Sequence, residues 1–174
     1  PDGRLAEMNP LGLEAEVAEH LHATAPDVVV TYPVHGISGH PDHLVTHAVV
    51  KRVACALRRD GAASPRRLAF YTLPPAPDDA ERPSHLQHSP PALIDCTVPV
   101  RDADRDTGRE ALYCYETYRP VIDDHQPLAA VGDHLSYELF GEDHAPPLSS
   151  LLEGLPDDST APPLAPSSQA PDSA

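Results

Sequence analysis

Lysine is almost missing from this sequence: Lys51 is the only one, and lysine plus arginine reach 12 against 27 aspartates and glutamates, a formal charge of −15. A binder of nucleic-acid backbones needs a basic face, so nucleic acid is excluded as a partner. Long apolar runs are also missing. None approaches the roughly 20 residues needed to cross a bilayer, and no membrane span is expected. Cysteine is scarce. Cys55, Cys96 and Cys114 are odd in number and far apart, which rules out a disulfide framework and a C-x-x-C metal knuckle and predicts buried, reduced thiols in a cytoplasmic protein. There is no internal repeat. No signal-peptide pattern follows Pro1 and no initiator methionine stands there, so the true beginning of the protein is expected upstream. The apolar fraction of 40% is below the usual value of about 45–50%, which leaves part of the chain outside any core.

What is abundant is histidine in one place. His35, His40, His43 and His47, four of the eleven, fall within thirteen residues, beside Asp42, Gly36, Gly39, Pro33 and Pro41. The β-branched run Val28 to Thr31 leads in, and an apolar-periodic segment, His43 to Leu57, leads out. The cluster is therefore predicted on the loop between a strand buried on both faces and a helix. In open α/β sheets, ligands bind outside the carboxyl ends of the strands, where this loop would lie. Neutral imidazole is the commonest zinc ligand, and zinc-bound water ionises near neutral pH. A hydrolytic metal site fits these residue types. A lone histidine is more often a surface or capping residue, but that reading does not account for His40-Pro41-Asp42-His43 taken together.

The rest of the chain reads as alternating helices and strands. Leu13, Val17 and Leu21 recur at four-residue spacing and predict an amphipathic helix over 11–24, stopped at Ala25-Pro26-Asp27. Gly61 ends the helix after the histidine loop, and Arg67 to Thr72 is the next strand. Leu73 to Pro91 is an irregular, proline-rich excursion; Leu93 to Val100 is a further strand, Asp104 to Tyr118 a helix, and Asp133 to Phe140 a short final helix. Residues 154–174 are predicted to be a disordered tail rich in proline, serine, alanine and aspartate, leaving 1–153 as the domain. Tyr113, Tyr115 and Tyr118 are expected to pack in the core with outward hydroxyls rather than to line a sugar pocket.

Gly39-His40-Pro41-Asp42-His43, with the strand before it and the helix after it, resembles the second signature of the LmbE-like, or PIG-L, family of zinc-dependent de-N-acetylases, which remove acetyl from N-acetylglucosaminyl groups. The resemblance extends from Asp2-Gly3 to about Phe140, with Gly39 to His43 its specific core. It implies a Rossmann-like layered α/β fold with a mostly parallel sheet, Zn(2+) as cofactor and a small-molecule or glycoconjugate substrate. It also implies His43 as a zinc ligand, His40 as the group that stabilises the oxyanion, and Asp42 as the residue that orients a histidine. His47, one turn beyond His43, is read as a helix-surface residue, with a ligand role as the alternative. His35 and His125 are read as loop residues, with substrate contact as the alternative.

The family's first signature, approximately A-H-P-D-D-E, supplies the remaining histidine and aspartate ligands and the general base, and no match precedes Val28. The strings Ala76-Pro77-Asp78-Asp79-Ala80-Glu81 and Leu155-Pro156-Asp157-Asp158 lie downstream and are read as decoys. The expectation is a copy truncated at its N-terminus, active in the full-length protein but with little or no activity as this chain alone. Two other classes remain open: a non-catalytic carbohydrate-binding or interaction module derived from the fold, and a different metallohydrolase that uses His35, His40, His43 and His47.

Overall fold

Asn9 starts the first helix, α1 (Pro10–Thr24), by accepting the Leu11 N–H on its side chain at 3.1 Å, with Pro10 preset for the first helical position. The helix stops at Ala25, whose left-handed backbone returns its N–H to the Leu21 carbonyl. Leu13, Val17 and Leu21 are half-buried while Leu11 stands exposed, so the predicted stripe is the face that packs on the third helix. A Glu14–Arg52 ion pair of 2.8 Å crosses the same seam. The computed structural model behind this description covers residues 3–74, 85–128 and 131–156. The expectations for the two decoy aspartate pairs and for residues 157–174 fall outside those residues.

Strand β1 (Val28–Thr31) feeds a short turn of helix, α2 (Gly36–Gly39), and then the long α3 (Pro41–Arg59), which returns the chain to β2 (Arg67–Thr72). β1 and β2 pair in parallel, Val28 opposite Arg67 and Thr31 opposite Phe70, which requires a crossover of this kind. After β2 come β3 (Cys96–Pro99), α4 (Asp102–Tyr113), α5 (Arg119–His125) and β4 (His134–Leu139). The spatial order is β1-β2-β4-β3, with β4 antiparallel to both neighbours. Three strands thus point one way, and a fourth is inserted against them. The sheet is mixed rather than mostly parallel in its pairing.

Each face of the sheet has its own packing. On one, Ala54 of α3 meets Leu68 and Phe70, with Val29, Val50 and Phe140 around them. On the other, Ala69, Cys96, Tyr137 and Leu139 pack with Val28, Val98, Leu135, Leu148 and Leu151. Burying a side chain such as Leu68 completely is worth about 1.5–3 kcal/mol. Arg67 fastens the last segment to the sheet. Its guanidinium holds Glu142 through two hydrogen bonds of 2.9 and 2.8 Å and donates to the Leu151 and Glu153 carbonyls. Arg66 donates to the Pro156 carbonyl at 2.7 Å, so the start of the expected tail is tied to the fold as far as that residue.

Several expectations change. The helix expected over 133–140 is instead the interior strand β4 (His134–Leu139), in which Leu135, Tyr137 and Leu139 share one face while Ser136 and Glu138 share the other. β1 lies at the edge of the sheet formed by the described residues, and Val30 is 50% exposed rather than buried on both faces. The helix expected over 104–118 ends at Tyr113, and the chain then turns, leaving Tyr115 and Tyr118 67% and 60% exposed instead of in the core. Only Cys96 is a buried thiol; Cys55 and Cys114 are exposed. Among the described residues no helix is long and apolar enough to cross a membrane.

Candidate functional site

The site is assembled where β1 ends. Pro33 accepts the Gly36 N–H on its carbonyl at 2.9 Å, turning the chain sharply. Gly36 has φ +63, and a Cβ there would stand 3.0 Å from the His43 Cβ and 3.1 Å from the Leu44 side chain; only glycine allows the loop to lie this close to α3. Ile37 follows at φ 62, ψ −55. That conformation is a real outlier for a β-branched residue and costs about 1–3 kcal/mol. Two bonds hold it in place. The Ile37 N–H donates to His35 Nδ1 at 3.1 Å, and the Ile37 carbonyl accepts the Gln87 N–H at 2.6 Å.

His40 caps α3. Its Nδ1 accepts the Asp42 N–H at 3.2 Å, so the neutral ring carries its hydrogen on Nε2. His40 is exposed, and that Nε2–H is available as a donor. His43, in the first turn of the same helix, has the opposite arrangement. Its Nδ1–H donates to the Gly36 carbonyl at 2.9 Å, so the Nε2 lone pair is the free position and has no hydrogen-bond partner among the described residues. The Tyr32 ring lies against it, 3.9 Å between centroids and 8° from parallel, fixing the plane of the imidazole. The two histidine rings are 5.1 Å apart. One offers a hydrogen and the other a lone pair, side by side at a helix N-terminus.

Asp42 serves the backbone. Its carboxylate accepts the Gly3 N–H at 2.7 Å and the Leu5 N–H at 2.9 Å, drawing the first described residues over the start of α3. His47 is buried rather than on the helix surface as expected: it is 7% exposed, donates from Nδ1 to the Tyr32 carbonyl at 2.8 Å and packs on Phe70. Tyr32 therefore orients two histidines, one with its ring and one with its carbonyl.

His35 faces a different set of partners. With Nδ1 accepting from Ile37, its Nε2–H donates to Ser89 Oγ at 3.3 Å. Ser89 is fully buried, contacts Thr72 Oγ1 at 3.0 Å, and makes a hydrogen bond to Glu138 of β4. Burial holds the His35 pKa below its ordinary value, opposed by the charge of Glu138 and reinforced by His88 and His47. Thr31 Oγ1, at the end of β1, is buried and has no hydrogen-bond partner among the described residues.

Sequence reasoning placed His40, Asp42 and His43 together on a loop between strand and helix; they do lie together, but His40 caps α3 and Asp42 and His43 are already in its first turn. It gave no role to Tyr32, Gly36, Ser89 or Glu138. The glycine and the tyrosine stand beside the histidines, where their neighbours hint at one; Ser89, in a proline-rich stretch, gives no local signal. The His125 side chain lies outside the described ones. Zinc is the ion whose fit these residues must be tested against. His43 has the tautomer a ligand needs, its second nitrogen already bonded to a carbonyl. Yet no group of three or more His, Cys, Asp or Glu side chains that could hold a metal occurs among the described residues, and they do not make a zinc site by themselves.

Residues 1–54 match the family model described as GlcNAc-PI de-N-acetylase, PIG-L. The protein named 1D-myo-inositol 2-acetamido-2-deoxy-alpha-D-glucopyranoside deacetylase from Gordonia bronchialis is 39% identical over 62 residues, which is 36% of this chain and 20% of that protein. The chain thus spans about a fifth of the length of the curated relative it matches.

Proposed function

We propose, from the premise that residues 1–54 belong to the PIG-L (LmbE-like) family, that this chain carries half of a site for hydrolysing an N-acetyl amide on an N-acetylglucosamine-type substrate. The observation that carries the reading is the pairing of opposite tautomers: His43 with a free Nε2 lone pair, His40 with an outward Nε2–H. Zinc is the proposed cofactor and His43 Nε2 its ligand in this chain. A catalytic zinc usually takes three protein ligands and polarises a carbonyl or lowers the pKa of water. The other donors, and the general base, are proposed to come from residues outside those described.

This chain's own part is binding and orientation. His40 Nε2–H donates to the acetyl carbonyl oxygen and is worth most when that oxygen becomes an oxyanion. Gly36 and Tyr32 hold the His43 ring. Asp42 has a supporting role, holding the preceding segment against the helix that presents both histidines. Two observations support a missing neighbour beside β1: its outer edge is unpaired within the described sheet, and the buried Thr31 hydroxyl lacks a partner among the described residues, which costs about 1–3 kcal/mol while it stays so. A further strand along that edge would complete a Rossmann-like layering and supply both. The domain is proposed to span 1–153.

A chimera tests the reading. The 62 matched residues of the Gordonia bronchialis relative are replaced by those of this chain, and acetate release from that relative's substrate is measured. The chimera is expected to be active, and His43→Ala to lower the rate more than about 100-fold, beyond the loss usual for supporting partners. His40→Ala is expected to cost about 100- to 1,000-fold in kcat, as loss of an oxyanion donor does. A His43→Ala chimera as active as its parent would refute the assignment.

A further inference from the structure

Ser89 and Glu138 lie far from the histidine motif in sequence, yet they meet it through one polar chain with a defined direction. Glu138 is a carboxylate and can only accept, so the Ser89 hydroxyl donates to it. Of the two lone pairs left on Ser89 Oγ, one faces the Thr72 hydroxyl at 3.0 Å and the other accepts from His35 Nε2–H. That fixes a neutral His35 with a bare Nδ1, which in turn accepts the Ile37 N–H. A hydrogen on Nδ1 would set two donors against each other. Gln87, two residues before Ser89, closes the turn from the opposite side by donating to the Ile37 carbonyl. Gly36 lies between His35 and Ile37, and its carbonyl is the acceptor for His43 Nδ1.

Backbone held in an unfavourable region persists only where its surroundings over-determine it. Here the surroundings are specific: one end of the clamp is on β4 through Glu138, the other on the last residues of the proline-rich excursion, Gln87 and Ser89. We propose that Ser89 and Glu138 are positioning residues that act through His35: they hold the Gly36–Ile37 turn so that the Gly36 carbonyl keeps the hydrogen of His43 on Nδ1 and leaves Nε2 bare. Neither touches the reacting atoms. This rests on the reading of His43 as a ligand through Nε2, which it deepens by naming what sets the ligand's tautomer.

The test is histidine-ring nitrogen NMR on the whole 174-residue chain, at a pH above the ordinary histidine range. In the unaltered protein His43 and His47 are expected as Nδ1–H and His35 as Nε2–H. Ser89→Ala and Glu138→Ala are expected to shift His43 from one tautomer to a mixture of the two, while His47, held independently by the Tyr32 carbonyl, stays as it was. Glu138→Gln keeps an acceptor oxygen and is expected to restore the unaltered pattern, a rescue that loss of packing alone would not give. Should Ser89→Ala or Glu138→Ala fail to fold, His35→Ala removes the middle of the chain from a half-buried position and is expected to release His43 in the same way. An unchanged His43 tautomer in the folded variants overturns the proposal and leaves the ligand reading intact. A hydrogen on His43 Nε2 in the unaltered protein overturns the ligand reading itself, and the clamp with it.

Discussion

At the scale of single residues, the turn between β1 and α3 is where local preference and tertiary demand conflict. Gly36 and Gly39 both have positive φ, but only Gly36 faces close neighbours, the His43 and Leu44 side chains. Gly36→Ala is therefore expected to destabilise the protein by about 1–3 kcal/mol and to displace the His43 ring, while Gly39→Ala costs only the backbone penalty of about 1–2 kcal/mol. Denaturant titration of the two variants checks the order. His35 adds a pH dependence. Its folded pKa is lowered by burial, so the unfolded chain binds the proton more readily, and stability rises with pH. The contribution is complete above the unfolded histidine pKa of about 6.5 and is lost as pH falls below it toward the folded value. His35→Gln should flatten that part of the stability curve, as followed by urea unfolding at a series of pH values.

At the scale of elements, the strap from β2 to the last described segment makes a separate prediction. The Arg67 side chain is 4% exposed and its charge is met by Glu142 at 2.8 Å; Arg67 and His144 together hold the Glu142 carboxyl below its usual range. Glu142→Ala leaves a buried guanidinium with carbonyl oxygens only and is expected to cost about 3 kcal/mol, the low end for breaking a buried pair, read as a lower denaturation midpoint. Most elements are legible in the sequence. α1, β1, α3 and β2 have periods and stop signals that local chemistry sets. β4 is not legible as a strand: six residues containing His134, Ser136 and Glu138 satisfy a short helical pattern as well as an alternating one, and the choice is made by pairing with β2 and β3, which no local window contains. The edge position of β1 is hidden for the same reason, since Val28-Val29-Val30 reads identically in the middle of a sheet.

At the scale of the whole molecule, the net charge of −15 and a single cluster of histidines agree with a small-molecule site rather than a surface for polyanions. The candidate site residues nearest in sequence, His40, Asp42 and His43, are legible because one motif carries all three, and α3 begins within it. Ser89 and Glu138 are not, because only the assembled sheet brings β4 and the end of the excursion to the back of that loop. In the proposed function this chain supplies one ligand and one oxyanion donor, short of a working site. The most direct test of that proposal is acetate release by the purified 174-residue chain, with zinc added, from an N-acetylglucosaminyl-inositol substrate. No zinc-dependent release above the protein-free blank is expected. Sustained turnover by the chain alone would contradict the account.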